Sequence, residues 1–181
     1  MRVFPIKKLP DQATLKDYFD YDPETGETLR KEVGPEHFAH AQACSRYNTL
    51  YAGKAAGYLD QKGYWRITVK GIDYLLHRAI WKWVTGEEPA KGLDHFDGDP
   101  ANNKWENLRD GGMHLNNRNR RMRRDNTSGF AGVTRNGRGW QARGCGDKGR
   151  VVLGTYPSAE HAAQVLADWQ KGKEYTERHG T

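Results

Sequence analysis

The segment from Tyr64 to Gly86 constrains the fold most, because its apolar pattern changes from the period of a strand to that of a helix. Its first six residues alternate between the two faces, as in a half-buried strand, and Lys70-Gly71 then forms a turn before a second strand. From Leu76 onward the apolar residues recur at helical spacing, and Gly86 marks the helix end. A hairpin that leads directly into a helix predicts a domain containing both kinds of element.

Short elements also precede this segment. Residues 15–31, LKDYFDYDPETGETLRK, predict a helical turn followed by a hairpin, with Pro23 to Gly26 as the turn. The stretch from Phe38 to Leu50 is ambiguous, and a loop insertion is one interpretation of it. The N-terminal half is therefore expected to be built from short helices and strands.

The C-terminal part predicts a small sheet followed by a helix. Three short strands are indicated by FAGVTR, WQARG and RVVLGTY, with glycine-rich turns between them. Ser158 caps a helix whose apolar face carries Ala162, Leu166 and Trp169. Such a sheet buries one face only, and period two places Trp140, Ala142, Val151 and Leu153 on it. The opposite, outward face then carries Gln141, Arg143, Arg150 and Val152.

Composition excludes several classes of protein. The 181 residues suffice for one domain or two small ones, and no apolar run approaches the roughly 18 residues of a membrane span. The N-terminus is basic but lacks the apolar stretch of a signal peptide. Cys44 and Cys145 lie far apart and outside any CxxC pair, so we expect neither a disulfide framework nor a structural zinc site, and a reducing cytoplasm fits.

The positive charge is concentrated in one stretch. Between Asn117 and Arg150 there are ten Lys or Arg residues, opposed only by Asp125 and Asp147, so this segment has a net charge of +8. The net charge of the whole chain is +6. The remaining residues therefore sum to about −2. A solvated basic face is the alternative, but the arginines are interleaved with Asn, Gln and Gly, which favours a polyanion and specifically a nucleic acid.

The segment from Leu93 to Asn117, LDHFDGDPANNKWENLRDGGMHLNN, indicates chemistry. Its pattern predicts a strand, a polar turn, a second strand and a helix. Asp94 on the first strand and Asn116 on the helix could supply oxygen ligands to a hard divalent cation, and His95 could take a proton from water. A calcium loop starting at Asp97 fails, because Leu108 would stand where the bidentate glutamate is needed.

These residues resemble the HNH endonuclease family, and specifically its homing-type branch. The likeness is carried by Asp94-His95, by the Asp97-Gly98-Asp99 turn, and by the asparagines that follow, with HRAIW, FDYDPETGE and AGKAAGYLDQKGYWRITVKG as lead-in elements. It covers roughly residues 15–124. Where the branch has a Thr-His pair before the helix, this chain has Gly112-Met113, so a role for His114 is not carried over.

The resemblance implies a residue-by-residue assignment. Asp94 and Asn116 would hold one divalent metal, Mg²⁺ or alternatively Mn²⁺, against the scissile phosphate. His95 would be the general base, and Asn107 would brace the loop and orient His95. His77 and Arg78 would contact phosphate near the site, although a core histidine is the competing interpretation of His77.

The C-terminal stretch, over about residues 126–175, resembles the ethylene-response-factor (APETALA-type) DNA-binding domain of plants. The likeness is carried by GVTRNGRGWQAR, RVVLGTY and SAEHAAQVLADW, whereas Ala131 and Thr134 stand at positions where the plant domains use arginine. An accessory sheet that does not read sequence is the alternative. On this resemblance and the charge pattern, the residues expected to contact DNA are Arg118, Arg120, Arg121, Arg123, Arg124, Arg135, Arg138, Gln141, Arg143 and Arg150.

Together these features predict an α+β protein with two domains. Residues 1–124 would form a ββα-metal HNH nuclease domain with its motif core at about 91–122, and residues 125–181 a three-stranded antiparallel sheet packed on one helix. The expected function is metal-dependent, site-selective cleavage of double-stranded DNA by a monomer without nucleotide cofactor or membrane, in the cytoplasm of a bacterial host and encoded by a phage or intron. A DNA-binding regulator with an inactive nuclease motif is the alternative, and a nuclease directed to RNA or to a nucleic-acid structure stays open.

Overall fold

The structure, a computed structural model, describes residues 7–90, 92–112, 118, 122–173, 175 and 179–180. The chain divides into two compact units, and each is described by itself. The N-terminal unit comprises Met1–His95 with Asp99–Asp110, and the C-terminal unit comprises Phe96–Gly98 with Gly111–Thr181. The fold mixes helices and strands, as the sequence predicts.

The N-terminal unit alternates short helices with antiparallel strand pairs. Its helices are α1 (Gln12–Tyr18), α2 (Ala41–Tyr51) and α3 (Leu76–Thr85). Its strands are β1 (Phe19–Tyr21), β2 (Thr28–Arg30), β3 (Tyr58–Leu59), β4 (Trp65–Val69), β5 (Ile72–Leu75), β6 (Leu93–His95) and β7 (Leu108–Asp110). They form three sheets, namely β1 with β2, β6 with β7, and β4 between β3 and β5.

One apolar core unites these elements. Leu15 of α1, Phe19 of β1, Ile67 of β4 and Ile80 of α3 are completely buried in it, and Leu108 of β7 belongs to the same cluster. Burial of side chains of this size contributes about 1.5–3 kcal/mol each. The strands that carry the polar segment are therefore anchored to a core formed mostly by residues that precede it.

The predicted hairpin and helix are confirmed. β4 pairs with β5 so that Val69 faces Ile72 across the turn, whose residues Lys70 and Gly71 both have positive φ, at 49° and 74°. α3 ends at Gly86, which is left-handed with φ 82° and donates its backbone N–H to the Lys82 carbonyl. Glycine suits this position because it adopts a left-handed conformation without a Cβ penalty.

The ambiguous stretch from Phe38 to Leu50 contains a helix rather than a loop insertion. α2 buries only Cys44, whose thiol donates to the Val33 carbonyl at 3.2 Å. Asn48 fixes the helix further, since its side chain accepts from the Val33 N–H at 3.0 Å and donates to the Val33 carbonyl at 3.1 Å. α2 therefore depends on polar contacts to the Val33 backbone more than on a continuous apolar stripe.

The C-terminal unit contains the three strands and the helix expected from the sequence. They are β8 (Val133–Asn136), β9 (Gly139–Gly146), β10 (Gly149–Tyr156) and α4 (Ala159–Gln170), with β9 in the middle of the sheet. The Ser158 hydroxyl accepts from the His161 N–H at 3.2 Å and so caps α4. The core contains Val133, Ala142, Ala162 and Leu166, with Trp140, Leu153 and Trp169 packed against it.

One position departs from the expected burial. Val151 lies opposite Gly144, where an added Cβ would meet the Trp169 ring, yet Val151 is 36% exposed and does not join the core. The pairing of β9 with β10 is irregular between Val152 and Gly154, where a bulge shifts the register by one residue. The bulge follows Val151, so the register keeps this residue on the expected face, but Val151 is not part of the core cluster and its expected burial is not observed.

None of the helices formed by the described residues has the length and apolar character needed to span a bilayer.

Candidate active site

Two paired strands position the Asp-His pair. β6 and β7 are antiparallel, with Asp94 opposite Arg109 and His95 opposite Leu108. Asp94 is 8% exposed and His95 is 5% exposed, so both side chains are held within the unit although they are polar. Buried polar groups are retained when they have partners, and the contacts of this pair follow that rule.

Asp94 is held by its cross-strand neighbour. Arg109 donates to Oδ2 of Asp94 twice, from Nη2 at 2.8 Å and from Nε at 3.2 Å. The Asp94 side chain is 10% exposed and that of Arg109 is 21% exposed. The guanidinium therefore balances the carboxylate charge in a site with little solvent, which fixes the direction in which the carboxylate points.

His95 contacts Asn103. Its Nε2 lies 3.3 Å from Asn103 Oδ1, and Asn103 is 3% exposed. An amide oxygen can only accept, so a hydrogen bond at this contact requires the ring tautomer that carries its proton on Nε2. Asparagine in a polar turn is typically a turn or capping residue, so the local sequence does not predict the contact of Asn103 with His95.

His77 packs edge-on against His95. The two ring centroids are 5.0 Å apart with an interplanar angle of 82°, and the Tyr64 ring lies 5.6 Å from His77 and 6.1 Å from His95. His77 is 6% exposed, and its Nδ1 is buried without a hydrogen-bond partner among the described residues. Burial, then the neighbouring His95, then Arg78 lower the pKa of His77 to about 3, so its ring is neutral at physiological pH.

Arg78 contacts a different group of residues. Its Nη2 donates to Glu88 Oε2 at 2.6 Å and its Nη1 to the Lys7 carbonyl at 3.3 Å. Glu88 also lies 3.7 Å from Lys82 Nζ and accepts from the Leu9 N–H at 2.7 Å. The guanidinium thus ties α3 to the N-terminal segment through an ion pair.

The loop between β6 and β7 is braced from within and from the β1–β2 hairpin. Asn107, in a 3₁₀ turn at Trp105–Asn107, donates to the Asn102 carbonyl at 2.8 Å. The Trp105 N–H donates to the Pro23 carbonyl at 3.0 Å, and the Tyr21 hydroxyl donates to the Asn103 carbonyl at 2.8 Å. Asn103 is therefore fixed through its backbone as well as its side chain.

Glycine is required where the hairpin meets this loop. Gly26 has φ 78°, and a Cβ there would lie 2.7 Å from the Lys104 backbone nitrogen. A real Cβ does not approach backbone atoms so closely, so only glycine allows the contact. No local feature of the sequence indicates that this turn residue supports the site loop.

The donor set suits a hard cation that keeps most of its water. Asp94 offers a carboxylate, and Mg²⁺ is commonly bound through one or two carboxylates together with substrate phosphate. Asn116, the second expected ligand, lies outside the described residues, as does His114. Among the residues that are described, no three His, Cys, Asp or Glu side chains come together as a complete ion site. Of the two expected ligands, the structure therefore describes Asp94, whose carboxylate is of the type that Mg²⁺ prefers.

The residues expected to bind DNA fall into several environments of the C-terminal unit. Arg118 is 5% exposed and donates to the Cys145 carbonyl at 3.2 Å and to Asp147 Oδ1 at 2.5 Å, so it is part of the structure of this unit. Arg120 and Arg121 lie outside the described residues. Arg123 is exposed but pairs with Asp125 through two hydrogen bonds. The exposed remainder comprises Arg124, Arg135, Arg138 and Arg150.

The pairing register brings part of this set onto one sheet face. Gln141 and Arg143 have the same side-chain direction on β9, and Arg143 donates to the Gln141 amide oxygen. Val152, which faces Arg143 on β10, is 54% exposed. Arg135 lies over the Trp140 ring, 5.0 Å from its centroid, at one end of the sheet.

One of the comparisons with known proteins finds a match. Residues 74–118 match a family model described as HNH endonuclease, a segment that begins at the end of β5 and contains α3, β6 and β7. Searches of curated proteins and of solved structures each found no match. HNH endonucleases act on DNA and generally use a divalent metal. Residues 74–118 are therefore similar to the HNH endonuclease family, and this similarity suggests a nucleic-acid endonuclease.

Proposed function

We propose that the protein is a metal-dependent, site-selective DNA endonuclease of the homing HNH type. The observation that carries the proposal is the buried Asp94-His95 pair on β6, each member held by its own partner, within the segment that matches the HNH model. In the proposed arrangement, residues 1–124 form the nuclease domain of ββα-metal type, and residues 125–181 place it on the DNA.

His95 is the general base in this proposal. With Nε2–H directed at Asn103 Oδ1, Nδ1 accepts a proton from the attacking water. The water oxygen then forms a bond to phosphorus as the bond to the 3′-oxygen breaks. Asp94, together with Asn116, would hold one divalent metal, Mg²⁺ or Mn²⁺, whose charge stabilises the phosphate and the leaving oxygen when it is bound.

His77, Asn107 and Arg109 have positioning roles. The edge of the neutral His77 ring packs against His95 and limits its rotation without adding a second cation beside it. Asn107 braces the loop that carries Asn103, the partner of His95. Arg109 keeps the Asp94 carboxylate aimed in one direction. A phosphate contact from His77 is disfavoured by its burial, and Arg78 would have to leave Glu88 to make one.

The C-terminal unit supplies DNA affinity. An exposed sheet face that carries Gln141 and Arg143 has the donor and acceptor groups that read base edges in a major groove. Arg124, Arg135, Arg138 and Arg150 are exposed and fit contacts to phosphate. If several arginines release counterions on binding, log affinity should fall steeply and linearly with log salt, and an affinity insensitive to salt would contradict this role.

A supercoiled-plasmid assay with Mg²⁺ tests the nuclease. The wild type should nick or linearise the DNA, and His95→Ala, Asp94→Asn and added EDTA should each abolish cleavage. His40→Ala is the matched control, because His40 is an exposed histidine of the same unit, and it should cut as the wild type does. Phage genomic DNA serves as a second substrate, in case the plasmid lacks the target.

Binding measured on the same samples separates the alternative. If the wild type binds DNA with normal salt dependence but cuts neither substrate with Mg²⁺ or Mn²⁺, the nuclease assignment fails and a DNA-binding regulator is the better description. If it cuts RNA but not DNA, the choice of DNA as substrate fails while the site assignment stands.

A further inference from the structure

The N-terminal unit contains a cavity whose lining does not include Asp94 or His95. It has a volume of about 680 Å³, within the range of cavities that bind small molecules. Its walls come from β2, α2, β3, the β4–β5 turn and the segment after a 3₁₀ turn at Pro35–His37. Its aromatic lining consists of Tyr18, Phe38, Tyr47, Tyr51 and Tyr58.

A buried arginine faces this aromatic lining. Arg30 is 9% exposed, and its guanidinium carbon lies 5.7 Å from the centroid of Tyr47 and 5.5 Å from that of Tyr51. Its Nη1 donates to the Tyr47 hydroxyl at 2.5 Å and to the Thr68 carbonyl at 3.2 Å. The guanidinium is thus fixed against two rings by neutral acceptors.

Arg30 has no countercharge among the described residues. No described carboxylate lies within 4.0 Å of it, and its Nε and Nη2 make no hydrogen bond to a described residue. The carboxylates of Asp17 and Glu36 lie 3.2 and 3.5 Å from Nε2 of His37 instead. The Asp73 carboxylate accepts from the hydroxyls of Tyr58 and Thr68, which line the cavity, at 3.2 and 2.5 Å. A buried cation without a paired anion is unfavourable, so this arrangement is expected of a group that meets an anionic ligand.

The rim offers rings that the fold itself does not cover. Tyr51 and Tyr58 line the cavity and are each 47% exposed, whereas Tyr18 and Tyr47 are packed deeper against the core. Aromatic side chains and arginine planes bind unpaired bases by stacking, and arginine binds phosphate through parallel N–H donors. A ligand that is both planar and anionic matches this lining, because its plane can stack on the tyrosine rings and its charge can meet the Arg30 guanidinium.

We propose that the cavity binds a nucleotide, with an unpaired base against the tyrosine rings and a phosphate oxygen on Nε and Nη2 of Arg30. The nucleotide can belong to a single-stranded segment of nucleic acid or be a free mononucleotide. The proposal goes beyond cleavage at Asp94-His95, because the cavity would recognise an unpaired nucleotide whether or not the nuclease is active.

Equilibrium binding in EDTA tests the cavity apart from the nuclease. The probes are a fluorescein-labelled duplex with a single-stranded tail and the same duplex with blunt ends, measured by anisotropy. The wild type should prefer the tailed duplex, and Tyr51→Leu should reduce that preference by about fivefold or more, the lower end of base stacking on an aromatic side chain. Leu50→Ala, an exposed neighbour on the same helix that does not line the cavity, should leave it unchanged.

Arginine variants test the anion contact. Arg30→Lys keeps the charge but loses the two parallel donors, so it should reduce the preference for the tail, while Arg46→Lys on the exposed side of α2 should not. Tyr51→Leu changes an exposed ring and keeps the test valid even if Arg30→Lys fails to fold. A wild-type preference that both cavity variants retain would overturn the proposal.

Binding of a free mononucleotide, dAMP, shows whether the ligand of the cavity is a free nucleotide or part of a strand. If dAMP displaces the tail from the wild type and binds Tyr51→Leu more weakly, the cavity accepts free nucleotides. If only the tail binds in this Tyr51-dependent way, the ligand is a nucleotide within a strand. If the wild type neither prefers the tailed duplex nor binds dAMP, the cavity is not a nucleotide site.

Discussion

Replacing His77 by Phe should make the N-terminal unit less sensitive to acid. The pKa of His77 is about 3 in the folded protein, chiefly because the ring is buried, against 6.5 for an ordinary histidine. Between these pH values the unfolded chain binds a proton that the folded chain does not. The stability contributed by the neutral ring is therefore complete above about pH 6.5 and falls by about 1.36 kcal/mol per pH unit below it. Between pH 7 and pH 5 the loss amounts to about 2 kcal/mol.

Hydrogen exchange measures this loss in the unit that carries His77. Peptides that cover α3 report the free energy of unfolding of this unit at pH 7 and pH 5, once intrinsic exchange rates are corrected. His77→Phe keeps an aromatic ring and removes the buried, unpartnered Nδ1, so it should lose about 2 kcal/mol less than the wild type over this pH interval. Equal losses in the two proteins would refute the reasoning, and His40→Phe, at an exposed histidine, should behave like the wild type.

Three further variants test packing and capping by urea unfolding. Arg109→Gln removes both hydrogen bonds to Asp94 and should lower the free energy of unfolding by roughly 2 kcal/mol. This value is below the range for fully buried pairs because Arg109 is a fifth exposed. A cost near zero would show that the pair is not structural. Gly26→Ala should cost at least about 1 kcal/mol more stability than Gly53→Ala. The two glycines have similar φ values, 78° and 73°, but only the Cβ at position 26 would meet backbone atoms. Equal costs would remove the steric argument. Ser158→Ala should destabilise the C-terminal unit by about 1 kcal/mol through loss of the helix cap, whereas Ser158→Asp should retain most of the stability.

The elements with local signals could be predicted from the sequence. The β4–β5 hairpin, α3 with its terminal Gly86, and the capped α4 all have a period or a turn residue that is visible within a few positions. α2 had no such signal, since it buries one cysteine and is fixed by Asn48 on the Val33 backbone. Contacts between residues far apart in sequence leave no periodic trace.

The candidate site shows the same division. Asp94 and His95 were predicted on a strand, and the structure places them there. Their partners could not be predicted in the same way, because the Asp94–Arg109 pair depends on the register of β6 with β7, and the His77–His95 contact on how α3 packs. The contact of Asn103 with His95 could not be predicted either, because asparagine in a polar turn is usually a turn former. Asn116 lies outside the described residues and stays a prediction.

The β1–β2 hairpin has a consequence for how the segment that matches the HNH model can be exchanged between proteins. The Pro23 carbonyl, the Tyr21 hydroxyl and the space above Gly26 all support the loop that carries Asn103. A gene fragment that encodes only residues 74–118 would deliver the Asp-His pair without this support and without most of the core. Recombination that preserves function must therefore transfer the lead-in together with the motif, so the two should be inherited as one block.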